Sequence, residues 1–500
     1  MTADPILEAF ETRFREYPDQ PLLVSPTHRA TVAEVETLAQ LAQSQLESIA
    51  GPLNRGTPIG LAAANGSGFL AGLLALRRLG LPAVLLEAGR PAHLVQKMAR
   101  SLDLGWVLSC SQSWPGRGED FEILPIERNL EGQTPPLAPE IAVIKLTSGS
   151  TGKPRGVVTS SSALVADDRA LAATMGLRPE DRVLASIPFS HSYGLASIVL
   201  PALMRGSVLV LPQTGNPFNV LRAGRWGKAT FFPTIPAWVE AMVKMSNPPA
   251  LPPTLRLTIY AGAPLEPATA ARFHQVFGQR IHVFYGSSES GGISFDRLGD
   301  GAERGSLGTP VEGVRVTLEP LPAETGDLPK AGESSRRAAL SPSTRQGLVT
   351  ISSPAVAQGY WPRPDPALEE GRFRTQDLAE FRGQELFLMG RVDDLINVKG
   401  KKVNPREIEA VLRQLPGVEE VAVLGVPKPK GNGDLIRAFV VTKDKSLTYD
   451  DLHGFCRSHL PDHKVPRSFL LLPSLPVSSR GKLDRAALRD LRPGQAPTTP

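Results

Sequence analysis

The chain has 500 residues, of which 41% are hydrophobic and 21% charged, with a formal net charge of +5. This length exceeds one ordinary core, and the composition is typical of a soluble globular protein of about two to four packed units. The Lys and Arg residues are scattered, which favours a solvated surface over a nucleic-acid-binding stripe. Cys110 and Cys456 are too few and too distant for a disulfide framework or a Cys-rich metal site, so we expect a cytoplasmic protein.

No targeting segment or membrane span is expected. The N-terminal segment carries acidic residues where a signal peptide would be basic and then apolar. The most apolar stretch, residues 68–86, is interrupted by charged and helix-breaking residues such as Arg77 and Pro82. It therefore predicts a buried helix over about residues 66–79 and a buried strand over about residues 82–87.

Helical and strand patterns alternate as far as residue 300, which predicts layered α/β structure with mostly parallel sheet. Helical spacing is found in residues 35–49 and 234–245, and short apolar or β-branched runs in residues 183–188, 207–212, 255–262 and 280–286. Ligands of such sheets bind beyond the carboxyl ends of the strands. The loops after Ile144, Ala261 and Tyr285 are therefore the first candidate sites.

The pattern changes twice in the last 200 positions. Three short strands (residues 311–318, 347–353 and 385–391) predict a small β unit, interrupted by a Pro- and Gly-rich surface insertion at 320–346. After Gly390, helices and strands predict a separate α+β domain, followed by a disordered tail. The predicted fold is α/β, with a large N-terminal domain of layered α/β sheets (1–390), a smaller C-terminal domain (391–492) and a tail (493–500).

Residues 146–158, LTSGSTGKPRGVV, are Gly-rich and end in a Gly-Lys pair, as phosphate loops do. A P-loop would need Gly at position 147 and Ser or Thr at 154, where this chain has Thr147 and Pro154. The hydroxyls, glycines and lysine of the segment are nevertheless suited to wrapping the β- and γ-phosphates of a nucleotide in another geometry.

Seven motifs in order resemble the ATP-dependent adenylate-forming superfamily, which includes acyl- and aryl-CoA synthetases. They are LTSGSTGKPRG (146–156), IPFSHSYGL (187–195), YAGAPL (260–265), YGSSES (285–290), FRTQDLA (373–379), GRVDDLINVKGKKVNPREIE (390–409) and SSRGKLDR (478–485). The resemblance implies that the C-terminal domain is mobile and that the cofactors are ATP, Mg2+ and coenzyme A, or a phosphopantetheine carrier. It also implies two steps, attack of a carboxylate on the α-phosphate of ATP and transfer of the acyl group to a thiol.

The resemblance assigns an ATP- and AMP-binding set: Thr147, Ser148, Gly149, Ser150, Thr151, Gly152, Lys153, Gly262, Ala263, Pro264, Tyr285, Gly286, Ser287, Asp377 and Arg391. Tyr285 would lie against the adenine, and Asp377 would accept the ribose hydroxyls. The family pattern before this acid is Thr-Gly, so Gln376 is a departure that affects the local turn.

The expected catalytic residues are Lys482, Ser288 and Glu289. Lys482 would bridge the attacking carboxylate and the α-phosphate, where it stabilises charge in the transition state. Ser288 stands where the family usually has Thr, and its hydroxyl would still be able to reach the α-phosphate. Glu289 is the expected Mg2+ ligand, since Mg2+ prefers one or two carboxylates together with phosphate oxygens. Asp393 lies at the hinge position of the family.

His191, Tyr193 and Trp238 are expected to border the acyl pocket or its gate, with core packing as the alternative for Trp238. Gly400 and Lys401 are expected to meet coenzyme A or an acidic carrier protein, and the sequence does not separate these two partners. Amino-acid-activating members of the superfamily carry an acidic residue just after the His191 position, which pairs with the substrate amine, and HSYGLASIVLP has none. A fatty or aryl acid is therefore the expected substrate.

Two alternatives stay open. One is a standalone adenylation enzyme that loads a carrier protein. The other is a degenerate, non-catalytic member that binds nucleotide or acyl groups. Gln376 and Ser288 motivate the second alternative, whereas the retained Lys153, Glu289 and Lys482 argue against it.

Overall fold

The structure is a computed structural model. It describes residues 4–49, 53–116, 120–127, 136–148, 154–213, 215–320, 346–369, 371–398, 401–427, 434–444, 446–476 and 483–491. The predicted tail and nearly all of the predicted 320–346 insertion lie outside these residues.

The chain forms two compact units. The first comprises Met1–Thr317, Thr350–Thr375 and Arg382–Leu386, and the second comprises Leu318–Val349, Gln376–Phe381 and Phe387–Pro500. The domain boundary at residues 390–391 stays a prediction.

Over the described residues, the helices alternate with strands as the sequence pattern predicts. The helices are α1 (Pro5–Glu16), α2 (Val32–Glu47), α3 (Ser67–Arg78), α4 (Ala92–Ser101), α5 (Ser161–Met175), α6 (Ser192–Gly194), α7 (Leu200–Arg205), α8 (Pro217–Trp226), α9 (Pro236–Lys244), α10 (Pro267–Phe277), α11 (Gly301–Arg304), α12 (Pro405–Leu412), α13 (Tyr449–His459) and α14 (Arg485–Asp490). A π-helical turn (Leu195–Val199) joins α6 to α7, and 3-10 turns cover Val392–Asp394 and Asp462–Lys464.

The strands of the first half of the chain are β1 (Pro21–Val24), β2 (Arg29–Thr31), β3 (Ile59–Ala63), β4 (Ala83–Leu85), β5 (Trp106–Cys110), β6 (Glu122–Pro125), β7 (Ile141–Ser148), β8 (Pro154–Ser160), β9 (Arg182–Leu184), β10 (Val208–Val210) and β11 (Phe231–Thr234). Those of the second half are β12 (Leu257–Tyr260), β13 (His282–Ser287), β14 (Gly291–Phe295), β15 (Thr309–Pro310), β16 (Arg315–Glu319), β17 (Gln346–Ser352), β18 (Gly359–Trp361), β19 (Leu368–Glu369), β20 (Arg372–Arg382), β21 (Glu385–Arg391), β22 (Ile396–Val398), β23 (Lys401–Val403), β24 (Val418–Pro427), β25 (Asp434–Thr442) and β26 (Ser468–Leu472).

Two large sheets form the framework of the first unit. Within the described ranges, one sheet has nine strands in the order β15-β14-β13-β12-β11-β9-β10-β1-β2, and the other has seven in the order β18-β8-β7-β4-β3-β5-β6. The central pairs β10–β9, β9–β11, β11–β12 and β12–β13 of the first sheet are parallel, as are β3–β4, β3–β5 and β4–β7 of the second. The predicted α/β class with mostly parallel sheets is confirmed.

The apolar stretch at 68–86 forms the predicted buried helix and strand, α3 and β4. Helix α3 is buried along nearly all of its length because its residues are almost all apolar or small. Its one buried charge, Arg77, is 4% exposed and pairs with Asp4 at 2.7 Å. Asp4 also caps the N-terminus of α1 and accepts a hydrogen bond from Ser161 at the start of α5, so it joins three helices. In the part of the chain that the structure describes, no helix has both the length and the apolar character needed to cross a membrane.

The predicted loops after Ile144 and Tyr285 and the predicted turn at Gln376 are extended strands instead. Strand β7 continues past Ile144 to Ser148, because it pairs with β8 in an antiparallel hairpin that reaches Ser148 and Pro154. Strand β13 continues past Tyr285 to Ser287, because it pairs with β14. The triplet containing Gln376 lies inside the long strand β20, where Gln is accommodated as readily as any other residue.

The second unit has the predicted α+β composition after residue 390. Its sheet has the order β24-β25-β26, with β24 antiparallel and β26 parallel to β25. Helices α12 and α13 contribute Ile408, Leu412 and Leu452 to a core that also contains Val423 and Val440. The short hairpin β22–β23 joins this core through Ile396 and Val403.

Candidate active site

Glu289 lies in the tight turn between β13 and β14. The Ser287 hydroxyl accepts hydrogen bonds from the backbone N–H groups of Glu289 at 3.2 Å and Ser290 at 3.0 Å. The Glu289 carbonyl accepts from the N–H of Ala357 at 2.8 Å. The turn is therefore fixed by its own serine and by the segment before β18, and the Glu289 side chain is half-buried.

Tyr360 on β18 contacts this carboxylate directly. Its hydroxyl donates to Oε1 of Glu289 at 2.9 Å, and the guanidinium carbon of Arg155 lies 3.9 Å from the centre of its ring. Arg155 also pairs with Asp365 at 3.0 Å. Burial, and then the negative charge of Glu289, raise the pKa of Tyr360 well above its ordinary value, so the hydroxyl stays a proton donor. Sequence reasoning missed Tyr360.

Two buried charges lie behind the turn, Lys145 on β7 and Asp167 on α5, which are 5% and 6% exposed. Asp167 accepts a hydrogen bond from the N–H of Gly292 at 2.9 Å. Burial raises the pKa of Asp167 to about 6, although this hydrogen bond and Lys145 act in the opposite direction. Burial lowers the pKa of Lys145, while the charges of Asp167 and Glu289 raise it. Sequence reasoning missed both residues; a lysine within the apolar run IAVIK was the available signal.

The nucleotide and acyl motifs meet at a pair of serines. The hydroxyl of Ser288 lies 2.6 Å from that of Ser192, which begins α6 directly after His191. Nδ1 of His191 accepts from the N–H of Tyr193 at 3.2 Å, which fixes the imidazole at the helix start. The Ser288 position and the predicted acyl-pocket motif are therefore neighbours in the folded chain.

Tyr193 and Trp238 are anchored to the sheet. The Tyr193 hydroxyl donates to the carbonyl of Ile259 at 3.3 Å, and its buried ring packs beside Phe284 at 5.9 Å between ring centres. Burial raises the pKa of Tyr193 well above its ordinary value. The half-buried indole of Trp238 donates to the carbonyl of Ser186 at 3.1 Å. Trp238 and His191 are therefore partly exposed, whereas the Tyr193 side chain is buried in the core.

The expected adenine-binding residues leave neighbouring parallel strands at one edge. Tyr260 of β12 pairs in register with Val283 of β13, and Gly262 and Tyr285 each follow two residues later. Gly262 has a φ of +105°, a conformation that glycine adopts without strain. Gly262, Ala263 and Pro264 are exposed, and the Tyr260 hydroxyl donates to the carbonyl of Pro264 at 3.3 Å. Tyr285 is half-buried and Gly286 exposed.

Asp377, Arg391 and Asp393 form one cluster in the second unit. Arg391 donates to both carboxylate oxygens of Asp393 at 3.0 Å and to Asp377 at 3.1 Å. Burial alone would lower the pKa of Arg391, but the two carboxylates raise it above its ordinary value. The predicted ribose acid, the predicted phosphate arginine and the predicted hinge residue are thus in direct contact.

Several predicted residues lie outside the described ones: Gly149, Ser150, Thr151, Gly152, Lys153, Gly400 and Lys482. Of the neighbouring positions, Thr147 is half-buried on β7 and donates to the carbonyl of Arg155 at 3.4 Å, and Ser148 ends that strand. Lys401 begins β23 and is exposed.

The chemistry of the Glu289 turn fits Mg2+ delivered with a nucleotide. Among the described residues, no group of three His, Cys, Asp or Glu side chains could hold a metal ion alone. Mg2+ in nucleotide sites keeps waters and takes one or two carboxylates plus phosphate oxygens. The Glu289 carboxylate would be such a ligand, with the Ser288 hydroxyl beside it for the phosphate.

Family models match most of the chain. A model described as AMP-binding enzyme matches residues 10–361, and one described as AMP-binding enzyme C-terminal domain matches residues 407–482. A feruloyl-CoA synthase from Amycolatopsis sp is 30% identical over 360 residues, which are 70% of this chain and 70% of that protein. A long-chain-fatty-acid–CoA ligase from Bacillus subtilis (strain 168) is 28% identical over 368 residues, 71% of this chain and 62% of that protein.

Solved structures agree with this at the level of the fold. The o-succinylbenzoate CoA synthetase of Bacillus subtilis, in complex with its acyl-adenylate intermediate, superposes with a TM-score of 0.77 at 22% identity, over 97% of this chain and 99% of that one. The same enzyme with ATP and magnesium ion gives a TM-score of 0.76 at 22% identity, over 96% and 99% of the two chains.

Proposed function

Because this chain belongs to the AMP-binding enzyme family, we propose that it activates a fatty or aryl carboxylic acid with ATP and transfers the acyl group to coenzyme A. In the first step a carboxylate oxygen forms a bond to the α-phosphorus, and the bond to the bridging β-phosphate oxygen breaks to release pyrophosphate. In the second step the thiolate sulfur attacks the acyl carbon and AMP leaves.

One observation carries this proposal, the 2.6 Å contact between Ser288 and Ser192. Ser288 belongs to the motif expected at the α-phosphate, and Ser192 to the motif expected at the acyl pocket. An acid bound beside Ser192 would therefore hold its carboxylate close to the phosphorus, and positioning of reactants contributes strongly to rate. Mg2+, when bound through Glu289, supplies positive charge that offsets the charge of the phosphates.

The acid class is supported by the aromatic residues of this region. The half-buried indole of Trp238 keeps aromatic surface exposed, and the buried ring of Tyr193, directly after Ser192, packs beside Phe284. No acidic residue follows His191 in its motif. The two relatives named above act, by their names, on feruloyl and long-chain fatty acyl groups, which supports both halves of the proposed class.

The test is acid-dependent exchange of labelled pyrophosphate into ATP by the purified chain, across panels of hydroxycinnamic and straight-chain fatty acids. Exchange with one panel, followed by thioester formation with coenzyme A, is the expected result. Thioester formed only with a carrier protein would contradict coenzyme A as acceptor, and no exchange with any acid would favour the non-catalytic alternative.

Lys482→Ala tests the assigned catalyst. Exchange should fall about 100-fold or more, since the variant loses charge that stabilises the transition state. Lys443→Ala, which removes a lysine that is 87% exposed in the same unit, is the matched control and should leave exchange unchanged. Full exchange in Lys482→Ala would contradict the assigned role.

A further inference from the structure

Two residues of the β18-β8-β7 part of one sheet, Tyr360 and Lys145, face the Glu289 carboxylate. Tyr360 donates to one carboxylate oxygen at 2.9 Å. Lys145 lies in register with Tyr360 across β8, since both residues pair with Val157, and its buried charge interacts with the Glu289 carboxylate. We propose that Tyr360 and Lys145 are positioning residues for Glu289. The hydroxyl sets the orientation of the carboxylate, and the ammonium sets the negative charge available to Mg2+. This inference rests on the proposed function, in which Glu289 is the Mg2+ ligand.

The orientation of Tyr360 is fixed by a contact on its ring and by the pairing of its strand. Arg155 lies over the ring at 3.9 Å and is itself held by Asp365 at 3.0 Å. The backbone of β18 pairs with β8, and Gln358 and Ala357 bond to β8 and to the Glu289 carbonyl. A carboxylate that accepts from a fixed hydroxyl has its oxygen directions set before a metal arrives.

The Lys145 side chain is enclosed by the sheet and cannot turn away into solvent. Lys145 is 5% exposed, and its strand is paired on both sides, with β4 and with β8. Asp167 is equally enclosed and lies directly against the turn, since a Cβ added at Gly291 would clash with its Oδ1. Two carboxylates and one ammonium therefore lie close together in a largely buried region, where charges interact more strongly than in water.

The two residues have opposite effects on Mg2+, which makes them separable. Loss of the Tyr360 hydroxyl disorders the ligand and weakens Mg2+ binding. Loss of the Lys145 charge removes a cation that competes with Mg2+ for the same carboxylate, and strengthens it. The quantity that isolates these effects is the ratio of the ATP dissociation constant without Mg2+ to that with Mg2+, because binding of the two ligands is linked.

The experiment measures this ratio by calorimetry on the full chain, with no turnover. The ratio should fall about tenfold in Tyr360→Phe, the scale of a hydrogen bond to a charged group. It should rise about tenfold in Lys145→Met, the scale of one nearby charge at an intermediate effective dielectric constant. Tyr449→Phe, which changes an exposed tyrosine of the second unit, is the control and should match the wild type.

A charge-neutral double variant, Lys145→Met with Asp167→Asn, carries the test if Lys145→Met does not fold. The amide oxygen that replaces the carboxylate at position 167 can still accept from the N–H of Gly292, and no unpaired charge is buried. The ratio in this double variant should exceed the ratio in Asp167→Asn alone about tenfold, because the two proteins differ only in the Lys145 charge. Equal ratios in these two variants would show that Lys145 serves Asp167 alone. Unchanged ratios in all variants of a Mg2+-responsive wild type would overturn the inference only. A wild type whose ATP affinity ignores Mg2+ would overturn the proposed function as well.

Discussion

The charged side chains of the candidate site differ in burial between the two units. In the first unit, Lys145 and Asp167 are 5% and 6% exposed and enclosed by paired strands. In the second, the Arg391 and Asp393 side chains are 43% and 37% exposed and pair with each other at 3.0 Å. A buried charge that loses its partner is strongly destabilising, whereas an exposed ion pair exchanges partners at little cost. The first arrangement suits a ligand that must stay in place, and the second suits groups that change partners.

Glu289→Gln should have the largest effect, because it removes the charge that the enclosed cluster orients. Exchange should fall about 100-fold or more, with the melting temperature within a few degrees of the wild type. Calorimetry and the exchange assay check both quantities. Retained exchange with an unchanged Mg2+ requirement would contradict the role of Glu289. It would also show that the enclosed charges of the first unit do not serve a metal ligand.

Asp393→Pro should come next and should affect only the second step. Proline fixes φ and limits the backbone rotation expected at a hinge, and it also removes the ion pair with Arg391. Pyrophosphate exchange should stay within about twofold of the wild type, while thioester formation in a single-turnover assay slows about tenfold or more. An equal loss in both assays would argue that Asp393 has no hinge role.

Asp377→Asn should have a moderate effect that depends on the nucleotide. The amide keeps an acceptor for Arg391 and for ribose hydroxyls but loses the charge, so the KM for ATP should rise about tenfold with kcat nearly unchanged. Stability should fall by about 1 to 2 kcal/mol, because the Asp377 side chain is 14% exposed while its partner Arg391 is 43% exposed and keeps Asp393. A large loss of stability instead would place Asp377 with the enclosed charges of the first unit.

Asp167 should show the smallest effect on turnover and a clear effect on stability. Its pKa of about 6 in the folded chain exceeds the ordinary value of 3.8, so the folded state binds more protons between these values. The free energy of unfolding should therefore fall as pH rises from about 4 to 6, by about 1 to 3 kcal/mol relative to Asp167→Asn. Denaturant titrations at several pH values measure this slope, and parallel curves for the two proteins would contradict it.

Much of the fold follows from periodicity, because helix and strand place apolar residues at different spacings. The interrupted apolar stretch at 68–86 predicts a helix over about residues 66–79, which is found at Ser67–Arg78, and the apolar run at 255–262 predicts a strand, which is found at Leu257–Tyr260. The ends of β7 and β13 were not predicted, since their length depends on hairpin partners that periodicity does not reveal.

Of the candidate site, the motif residues were predicted and their supports were not. Glu289 and Ser288 belong to a motif, whereas Tyr360 reaches Glu289 from a position 71 residues away and Asp167 reaches Gly292 from 125 residues away. Such contacts are made by the packing of strands and helices that are distant in the sequence. A lone lysine such as Lys145 gives no indication of which carboxylates it will meet.

The ion pair between Asp4 and Arg77 makes Asp4 necessary for the stability of the first unit. A truncation that removes Asp4 would leave the Arg77 guanidinium, whose side chain is 3% exposed, without its carboxylate. Such a loss costs about 3 to 5 kcal/mol, enough to bring a domain of ordinary stability close to unfolding.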